Sequence, residues 1–563
     1  MKFSEYKYER LNIEDIEKTS IGLIKELKQT NSIDEFMGVF RTINKYRGHI
    51  QTMMTLCSIR HTIDTSDKFY ETEQEYWDNT APIIQKYEVE FAKACLECPF
   101  KEELPIPPVF FKLAENSLKC FDPCIIEELQ EENRLTTEYG KLKASAKIEF
   151  NGETFNLASI VPYMLSNDRE IRKKAFEAST NFYANNEDKF DDIYDGLVKV
   201  RDKMAKKLGY KTFTELGYIR MNRLDYNEEM VTKYREEVLK YVTPLVLKLH
   251  EKQRKRIGVD KLEPYDYSYE FKTGNPTPKG KEPELVKAAS QMYKEMSKET
   301  DDFFKMMVEN ELFDLTTKPN KQMGGYTTDL IDYKVPFIFS NFNGTSGDVD
   351  VLTHEAGHAF QGYMTSFENE IPDLAFPTME SCEIHSMSME FFAHPWMELF
   401  FKEDTEKYYY SHIASTLSFL PYGVLVDHFQ HEVYNHPEMN KEERKATFRK
   451  LEKMYKPGLE YTGYPLLEKG GYFYRQGHIF ESPFYYIDYT LAQVCALQFY
   501  KRMLDKDANC WNDYVHLCKL GGTKSFLELV KEANLTSPFE KDCLKDIVNT
   551  MDKELDKIDD IKL

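Results

Sequence analysis

The chain has 563 residues, 41% of them hydrophobic and 14% aromatic, so it can form several domains or one large body with a substantial core. Its formal net charge of −21 argues against nucleic-acid and membrane-surface partners, because phosphate backbones and anionic lipids attract basic surfaces. A charged N-terminus, the lack of any long apolar run and ten irregularly spaced cysteines predict a soluble cytoplasmic protein with free thiols.

The hydrophobic pattern is helical over most of the chain. Apolar residues recur three and four positions apart over residues 20–64, with a break near Thr30–Ser32. Similar amphipathic stretches occupy much of 67–98, 169–207, 226–256, 284–311 and 525–559. There is no internal repeat of 20–50 residues and no sustained heptad, so solenoids and coiled coils are excluded. A mainly α protein is predicted.

Loops and strands are confined to a few places. Residues 264–283 and 456–473 are rich in proline and glycine and are predicted to be loops. Strand signals cluster in one region only, where bulky aromatic and β-branched residues bounded by glycines cover 324–331 and 335–344. A small sheet is therefore expected within a mainly helical body.

Directly after this sheet the sequence reads THEAGHAF, residues 353–360, within a helix predicted over about 348–363. His354 and His358 are four apart and point to the same side of successive turns, where both imidazoles can reach one zinc ion. Glu355 lies at the edge of that face, where it can hold the attacking water and take its proton. A helix that carries two histidines for packing or solvent contact is the alternative, and a zinc site needs a third ligand.

The third ligand is a choice among several residues. The metzincin pattern is excluded, because Gln361 and Met364 stand where its glycine and histidine would be. A carboxylate from a following helix is the other solution. The amphipathic stretch 378–396 offers three of them, Glu380, Glu383 and Glu390. His385 is a competing candidate, with packing as its more ordinary role.

At this point a family resemblance becomes specific. The motif, followed 25 residues later by Glu383 and then by Glu390, resembles the thimet oligopeptidase and oligoendopeptidase F family of zinc peptidases. Four segments are similar to oligoendopeptidase F, the branch nearest to this chain: 221–238, 336–360, 426–438 and 520–535. The resemblance covers about 190–540. It implies one zinc ion held by His354, His358 and Glu383. We infer that Glu390 supports these ligands without binding the ion itself.

The resemblance also implies an architecture. The expected fold is a large two-lobed helical metallopeptidase of the zincin type, with the small sheet beside the metal helix and a central substrate channel. Residues 1–190 are expected to form an N-terminal helical lobe, and residues 191–563 the catalytic region, with the two packed as one body. The channel is implied by the family and by nothing in the spacing itself.

A second part of the site is expected in residues 475–493. The family has a histidine and a tyrosine-rich helix here, whose side chains donate to the carbonyl and backbone of the substrate. His478 matches the histidine, and Tyr486 and Tyr489, three apart on one predicted helical face, match the tyrosines. The chain is one residue shorter here than the thimet branch, which leaves Tyr485 as an alternative to Tyr486.

Three further patterns have two interpretations each. The strand within 335–344 is predicted to add an extended peptide to its edge, with Asn341 or Gly344 near the metal, or else to be purely structural. His428 and His431, three apart, are either a second metal site or packing residues of a helix. Four cysteines are either zinc ligands or free thiols: Cys95, Cys98, Cys120 and Cys124.

The predicted function is a zinc-dependent endopeptidase that cuts internal bonds of oligopeptides, with a water activated by Glu355. The nearest alternative is a zinc carboxypeptidase of related helical fold, for which Arg475 is the candidate that captures the terminal carboxylate. A second alternative is a peptide-binding protein without catalysis. The intact Glu355 counts against it, because a site that only binds zinc needs no base.

Overall fold

The structure is a computed structural model that describes residues 1–366 and 371–563. The helices of its first part are α1 (Ile13–Lys28), α2 (Ile33–Ile63), α3 (Lys68–Leu96), α4 (Pro108–Cys120), α5 (Ile126–Ala144), α6 (Val161–Met164), α7 (Arg169–Asn185), α8 (Glu187–Lys207), α9 (Phe213–Arg220), α10 (Glu228–Glu237), α11 (Thr243–Ile257), α12 (Glu282–Met296) and α13 (Lys298–Glu309). Those that follow are α14 (Gly347–Thr365), α15 (Met379–Phe392), α16 (Glu398–Phe401), α17 (Thr405–Asn435), α18 (Lys441–Tyr455), α19 (Pro465–Lys469), α20 (Gly477–Glu481), α21 (Tyr486–Leu504), α22 (Cys510–Leu520), α23 (Phe526–Glu532) and α24 (Cys543–Asp556). None of the described helices combines the length and the apolar character that crossing a membrane requires.

The predicted helical stretches are confirmed, with breaks that their periodicity did not show. The break near Thr30–Ser32 is present, and the Ser32 side chain caps α2 by accepting from the backbone N–H of Glu35. The stretch 169–207 divides at Asn186, whose side chain bonds back to the Phe182 carbonyl. The stretch 525–559 divides between α23 and α24, a segment that contains Pro538.

One predicted loop contains a short helix. Residues 264–283 are free of helix until α12 begins at Glu282, as expected. Residues 456–473, however, include α19. Pro465 fits the first helical position, where no backbone N–H is needed, and Gly470 ends the helix with a φ of 105°. The proline and glycine that favoured a loop are therefore the two ends of a helical turn.

A hairpin outside the predicted strands shows that strand signals were not confined to one region. Strands β1 (Ile148–Phe150) and β2 (Glu153–Phe155) pair antiparallel around Asn151 and Gly152, whose φ angles are 52° and 82°. Asn-Gly with two positive φ angles is the preferred two-residue hairpin turn. Strands of three residues are too short to show an alternation of apolar and polar residues, so only the Asn-Gly turn could have indicated this hairpin.

The predicted sheet is present and has an additional strand. Strands β3 (Phe313–Thr316), β4 (Tyr326–Leu330) and β5 (Val335–Phe342) lie in the order β3-β5-β4, with β3 parallel and β4 antiparallel to β5. Because β5 is paired on both sides, the prediction that a peptide adds to its edge is wrong. The edge strand that contacts α14 is β4. Asn341 of β5 instead anchors the residues just before β4, because its side-chain amide donates to the carbonyls of Gln322 and Gly324.

Three helices meet where the site is expected. Helix α15 packs against both α14 and α21. The approach of α14 to α15 is close at Gly357, where a Cβ atom would lie 2.6 Å from Ser386 Cα and 2.8 Å from the His385 carbonyl oxygen. Only glycine fits this contact. The central glycine of the THEAGHAF stretch therefore sets how near α15 comes to the two histidines.

Candidate active site

Two histidines of α14 and one glutamate of α15 converge on one point. Oε2 of Glu383 lies 3.2 Å from Nε2 of His354 and 3.3 Å from Nε2 of His358. Ligand atoms of a tetrahedral zinc ion with bonds of about 2.0–2.1 Å lie about 3.3 Å apart. Both the donor types and their spacing therefore fit a zinc ion, and the structure brings together the three residues that were predicted to bind it.

Neighbouring side chains fix the orientation of Glu383. Its Oε1 accepts a hydrogen bond from the Tyr485 hydroxyl, and its Oε2 accepts one of 2.8 Å from Ser386 Oγ. The carboxylate is 1% exposed, so rotation away from the histidines would leave buried oxygens without donors. This residue of α15 is thus held with one oxygen directed at both imidazoles.

His354 is held from its other side by a chain of buried polar groups. Its Nδ1 lies 2.6 Å from Oε1 of Glu390, and Oε2 of Glu390 lies 2.9 Å from Nε2 of His412. Nδ1 of His412 in turn lies 2.9 Å from Nε2 of His394. A carboxylate on the far nitrogen fixes the orientation and tautomer of a metal-binding histidine. Glu390 and Glu383, seven residues apart, thus contact opposite nitrogens of one imidazole.

The side chain of Glu355 in α14 faces the edge strand β4. Its Oε2 accepts a 2.7 Å hydrogen bond from Thr327 Oγ1, and its Oε1 would lie 3.2 Å from a Cβ atom at Gly325. The side chain is 6% exposed, and this burial raises the pKa of its carboxyl group above the ordinary value. The predicted base is therefore adjacent to the two histidines and oriented by a strand residue that the sequence did not single out.

The competing ligands lie elsewhere. Glu380 accepts from Thr378 Oγ1 at 2.9 Å, and His385 packs against Tyr514. His431 contacts Asp427 and Arg235. In the described ranges, neither the pair of histidines in α17 nor the four cysteines form a group that could hold an ion.

A second acidic group has the spacing of a metal site but is already neutralised. Glu187, Asp191 and Glu442 place carboxylate oxygens within 4.8 Å of one another. The ammonium of Lys445 lies between them, at 2.5 Å, 2.8 Å and 2.8 Å respectively. We interpret this group as a structural ion-pair network.

Beside the candidate metal ligands lies a row of neutral hydrogen-bonding groups, in which the Tyr489 ring contacts that of His354. The Tyr422 hydroxyl donates to Oε1 of Gln476, whose Nε2 lies 2.8 Å from Nδ1 of His478. Nε2 of His478 lies 3.1 Å from the Tyr489 hydroxyl. Burial lowers the pKa of His478 to about 4, so this imidazole is neutral near pH 7. With Nδ1 accepting from the amide, Nε2 carries the proton and donates towards Tyr489.

Tyr485, rather than Tyr486, contacts the candidate metal ligand Glu383. The Tyr485 hydroxyl bonds to Glu383, whereas the Tyr486 ring packs against Phe419 and Tyr422, with ring centres 5.6 Å and 5.8 Å apart. Tyr486 still lies beside His478, with ring centres 5.0 Å apart.

The turn before α21 explains this orientation. Helix α21 begins only at Tyr486, and Phe484 has a φ of 69°, a conformation that is strained for a side chain of this size. Its backbone is held by Gln430 and Arg223, which bond to its N–H and carbonyl. Gly217 provides the space for its ring. The turn directs Tyr485 towards Glu383, and Tyr485, with helical backbone angles, lies one turn before Tyr489, with ring centres 4.7 Å apart.

Family profiles match most of the chain. Residues 162–549 match peptidase family M3, and residues 3–121 match the peptidase M3 N-terminal domain. An oligoendopeptidase F homolog of Borreliella burgdorferi is 24% identical over 391 residues, 67% of this chain and 63% of that protein. Oligopeptidase PepF of Bacillus subtilis is 22% identical over 226 residues, 39% of this chain and 32% of that protein. The chain thus aligns with less than two thirds of either relative.

Solved structures match over the full length. A PZ peptidase A, determined with an inhibitor, is 50% identical with a TM-score of 0.98, and the match covers 100% of both chains. A Bacillus anthracis protein assigned as an oligoendopeptidase F is 50% identical with a TM-score of 0.94, covering 100% of this chain and 99% of the other. The predicted helical metallopeptidase fold is confirmed by these similarities.

Proposed function

Because the chain belongs to peptidase family M3, we propose that it hydrolyses internal peptide bonds of oligopeptides with one bound zinc ion. The observation that carries the proposal is the convergence of Glu383 Oε2 on the Nε2 atoms of His354 and His358, with Glu355 beside them. The similarity to a PZ peptidase A and to oligoendopeptidase F proteins supports the peptide substrate.

The metal would be held by His354, His358 and Glu383. A zinc ion supplies Lewis acidity, which polarises a carbonyl group and makes water a stronger acid. His354 is kept in its metal-binding tautomer by Glu390, whose carboxylate accepts a hydrogen bond from Nδ1–H.

Glu355 acts as the base. Its carboxylate takes a proton from the attacking water and returns it to the nitrogen of the departing amine. Thr327 donates to one carboxylate oxygen and thereby leaves the other free for the water. The edge strand β4, which carries Thr327, is the strand that can pair with an extended peptide and align its scissile bond with Glu355.

The tyrosine row stabilises the charge that develops on the substrate carbonyl. Tyr489 accepts from His478, so its own hydroxyl proton is directed elsewhere and is available to the substrate. Tyr485, whose hydroxyl proton is directed at Glu383, would become the second donor when its hydroxyl turns from that carboxylate to the substrate carbonyl. Tyr486, predicted from the helical pattern, is proposed to position His478 through ring contact.

The test is a timed digest of peptides of graded length, with a folded protein included and products read by mass spectrometry. The enzyme is used as isolated, after treatment with a chelator, and after zinc is returned, with Glu355→Gln in parallel. Internal cuts in short peptides that chelation removes and zinc restores are expected, and Glu355→Gln should lose them. Stepwise loss of C-terminal residues would indicate a carboxypeptidase. No cleavage by folded, zinc-loaded protein would favour a binding protein.

A further inference from the structure

A cavity of about 590 Å³ adjoins the tyrosine row. Tyr422 lines it and donates to Gln476, the residue that bonds to His478. Phe419 lines it as well, and its ring packs against that of Tyr489. The first turn of α14 forms another part of the wall, so a peptide that lies across the site can extend into this space.

Two cationic side chains line the cavity, Arg475 and Lys456, and within residues 1–366 and 371–563 neither has a carboxylate oxygen within 4.0 Å of its side-chain nitrogens. The guanidinium of Arg475 donates to Thr180 Oγ1 at 2.8 Å and lies 4.6 Å from the centre of the Tyr183 ring. The ammonium of Lys456 lies 5.6 Å from the centre of the Tyr422 ring. Aromatic and hydroxyl groups thus hold Arg475 without neutralising its charge. Lys456 is partly balanced by the buried Glu452, whose pKa is raised by burial and lowered by this ammonium.

The carboxylates in the same wall already have their own partners. Glu270 forms an ion pair of 2.7 Å with Arg256, and Asp350 accepts from the Tyr408 hydroxyl at 2.7 Å. A hydroxyl donor does not neutralise Asp350, so the two cations of the wall face one carboxylate that has no ion-pair partner within the described residues. Half-buried cations without counter-charges are unfavourable, and a ligand that brings a carboxylate offsets this cost.

The two cations lie over adjoining rings. Arg475 is 5.5 Å from the centre of the Tyr472 ring, which is 6.2 Å from that of Tyr422, the ring under Lys456. A guanidinium presents a planar pair of donors that matches a carboxylate, and an ammonium adds a point charge. The aromatic rings between the two cations suit a carboxylate carried by an otherwise apolar or aromatic segment.

We propose that Arg475 and Lys456 bind a carboxylate of the peptide substrate, so that the enzyme favours oligopeptides with an acidic group on one side of the scissile bond. The inference rests on the proposed function. The carboxylate is either the free C-terminus of a short peptide or the side chain of an aspartate or glutamate, and the same pair of cations recognises both.

The test uses zinc-loaded Glu355→Gln protein, because binding can then be measured without turnover. Three versions of one fluorescent peptide are compared: the free acid, the C-terminal amide, and the free acid with its acidic side chains replaced by amides. One of the two replacements should weaken binding about tenfold or more. That replacement identifies the source of the carboxylate.

The difference in affinity between the free-acid and neutralised peptides should disappear when the cavity cations are removed. Arg475→Gln and Lys456→Gln are each made in the Glu355→Gln background, and both should bind the free-acid and neutralised peptides with similar affinity. Lys453→Gln is the matched control, because it removes the same charge from an exposed residue of the neighbouring helix α18. It should keep the full discrimination.

The possible failures are separable. Equal binding of all three peptides, or discrimination that survives in both cavity variants, would overturn this inference while cleavage by the wild-type enzyme stands. Absence of cleavage by wild-type protein, with the discrimination intact, would overturn the proposed function and leave the carboxylate site. If Arg475→Gln fails to fold, Lys456→Gln alone decides, because the structure gives its ammonium no hydrogen bond to lose.

Discussion

The metal side and the tyrosine side of the candidate site are built on different principles. The metal side is charged, and its donors come from the interiors of two regular helices, α14 and α15, with carboxylates behind the imidazole of His354. The tyrosine side is neutral, and its groups lie in α20, in the turn before α21 and in the first turn of α21. Tyr485 joins the two sides through its hydrogen bond to Glu383, and Tyr489 contacts the His354 ring, with ring centres 6.5 Å apart.

This difference separates two kinds of effect. Substitutions on the metal side should weaken zinc binding and lose activity as a consequence. Substitutions on the tyrosine side should leave zinc bound and lower kcat, because donors to a developing oxyanion act in the transition state. Zinc affinity and kcat, measured in the same preparation, therefore assign each residue to one side.

The largest effect is expected on the metal side, from Gly357→Ala. The added Cβ would lie 2.6 Å from Ser386 Cα, so α15 must move away from α14 and carry Glu383 with it. Zinc affinity, measured against a competing chelator, should fall about a thousandfold because a ligand is displaced. Gly38→Ala in α2, where a Cβ meets nothing within 4 Å, is the control. Unchanged zinc affinity in Gly357→Ala would show that α15 does not deliver the ligand.

The next effect distinguishes the two adjacent tyrosines. Tyr485→Phe should lower kcat about a hundredfold, as loss of one oxyanion donor does, and should weaken zinc binding several-fold because Glu383 loses one hydrogen bond but keeps the one from Ser386. Tyr486→Phe should lower kcat only a few-fold, since its ring contact with His478 remains. A larger loss in Tyr486→Phe than in Tyr485→Phe would restore the assignment that the helical spacing favoured.

Gly217→Ala tests the turn that directs Tyr485. A Cβ at this position would lie 2.5 Å from Cδ2 of Phe484, so the strained turn must shift. A displacement of a catalytic group by part of an ångström costs much of its effect, and kcat should fall about thirtyfold. Zinc content is the internal control, and a parallel loss of zinc would mean that the two sides are coupled through this turn.

The smallest effect is expected from His412→Leu. This change leaves Oε2 of Glu390 without its partner but keeps the contact between Glu390 and His354. Zinc affinity should fall about tenfold, with kcat of the zinc-saturated enzyme unchanged. His394→Leu should weaken zinc binding less, because His394 contacts His412 and not Glu390. A change in kcat at saturating zinc would assign His412 a role on the substrate.

The same contrast explains what the sequence could predict. A spacing of four residues within a regular helix fixes the direction of His354 and His358, so their convergence followed from the pattern. The choice of Glu383 over Glu380 came from the family resemblance, because it depends on how two helices pack.

The rest of the site depends on tertiary contacts that local patterns do not show. Tyr485 was predicted only as an alternative to Tyr486, because the choice between them depends on the turn at Phe484, whose positive φ is usual for glycine and asparagine. Thr327 and His412 reach the site through contacts with residues 28 and 22 positions away in the chain. The peptide edge was assigned to the wrong strand because strand order is set by β3, whose four residues were not recognised.

The central claim is that three residues hold the zinc ion while a fourth, Glu355, performs proton transfer. The most direct measurement is the number of zinc ions bound per chain, with peptide cleavage, in wild type, Glu383→Gln and Glu355→Gln side by side. We expect one tightly bound zinc ion in wild type and in Glu355→Gln, cleavage in wild type only, and weak zinc binding in Glu383→Gln. Zinc bound by Glu383→Gln as tightly as by wild type, or full cleavage by Glu355→Gln, would contradict the account.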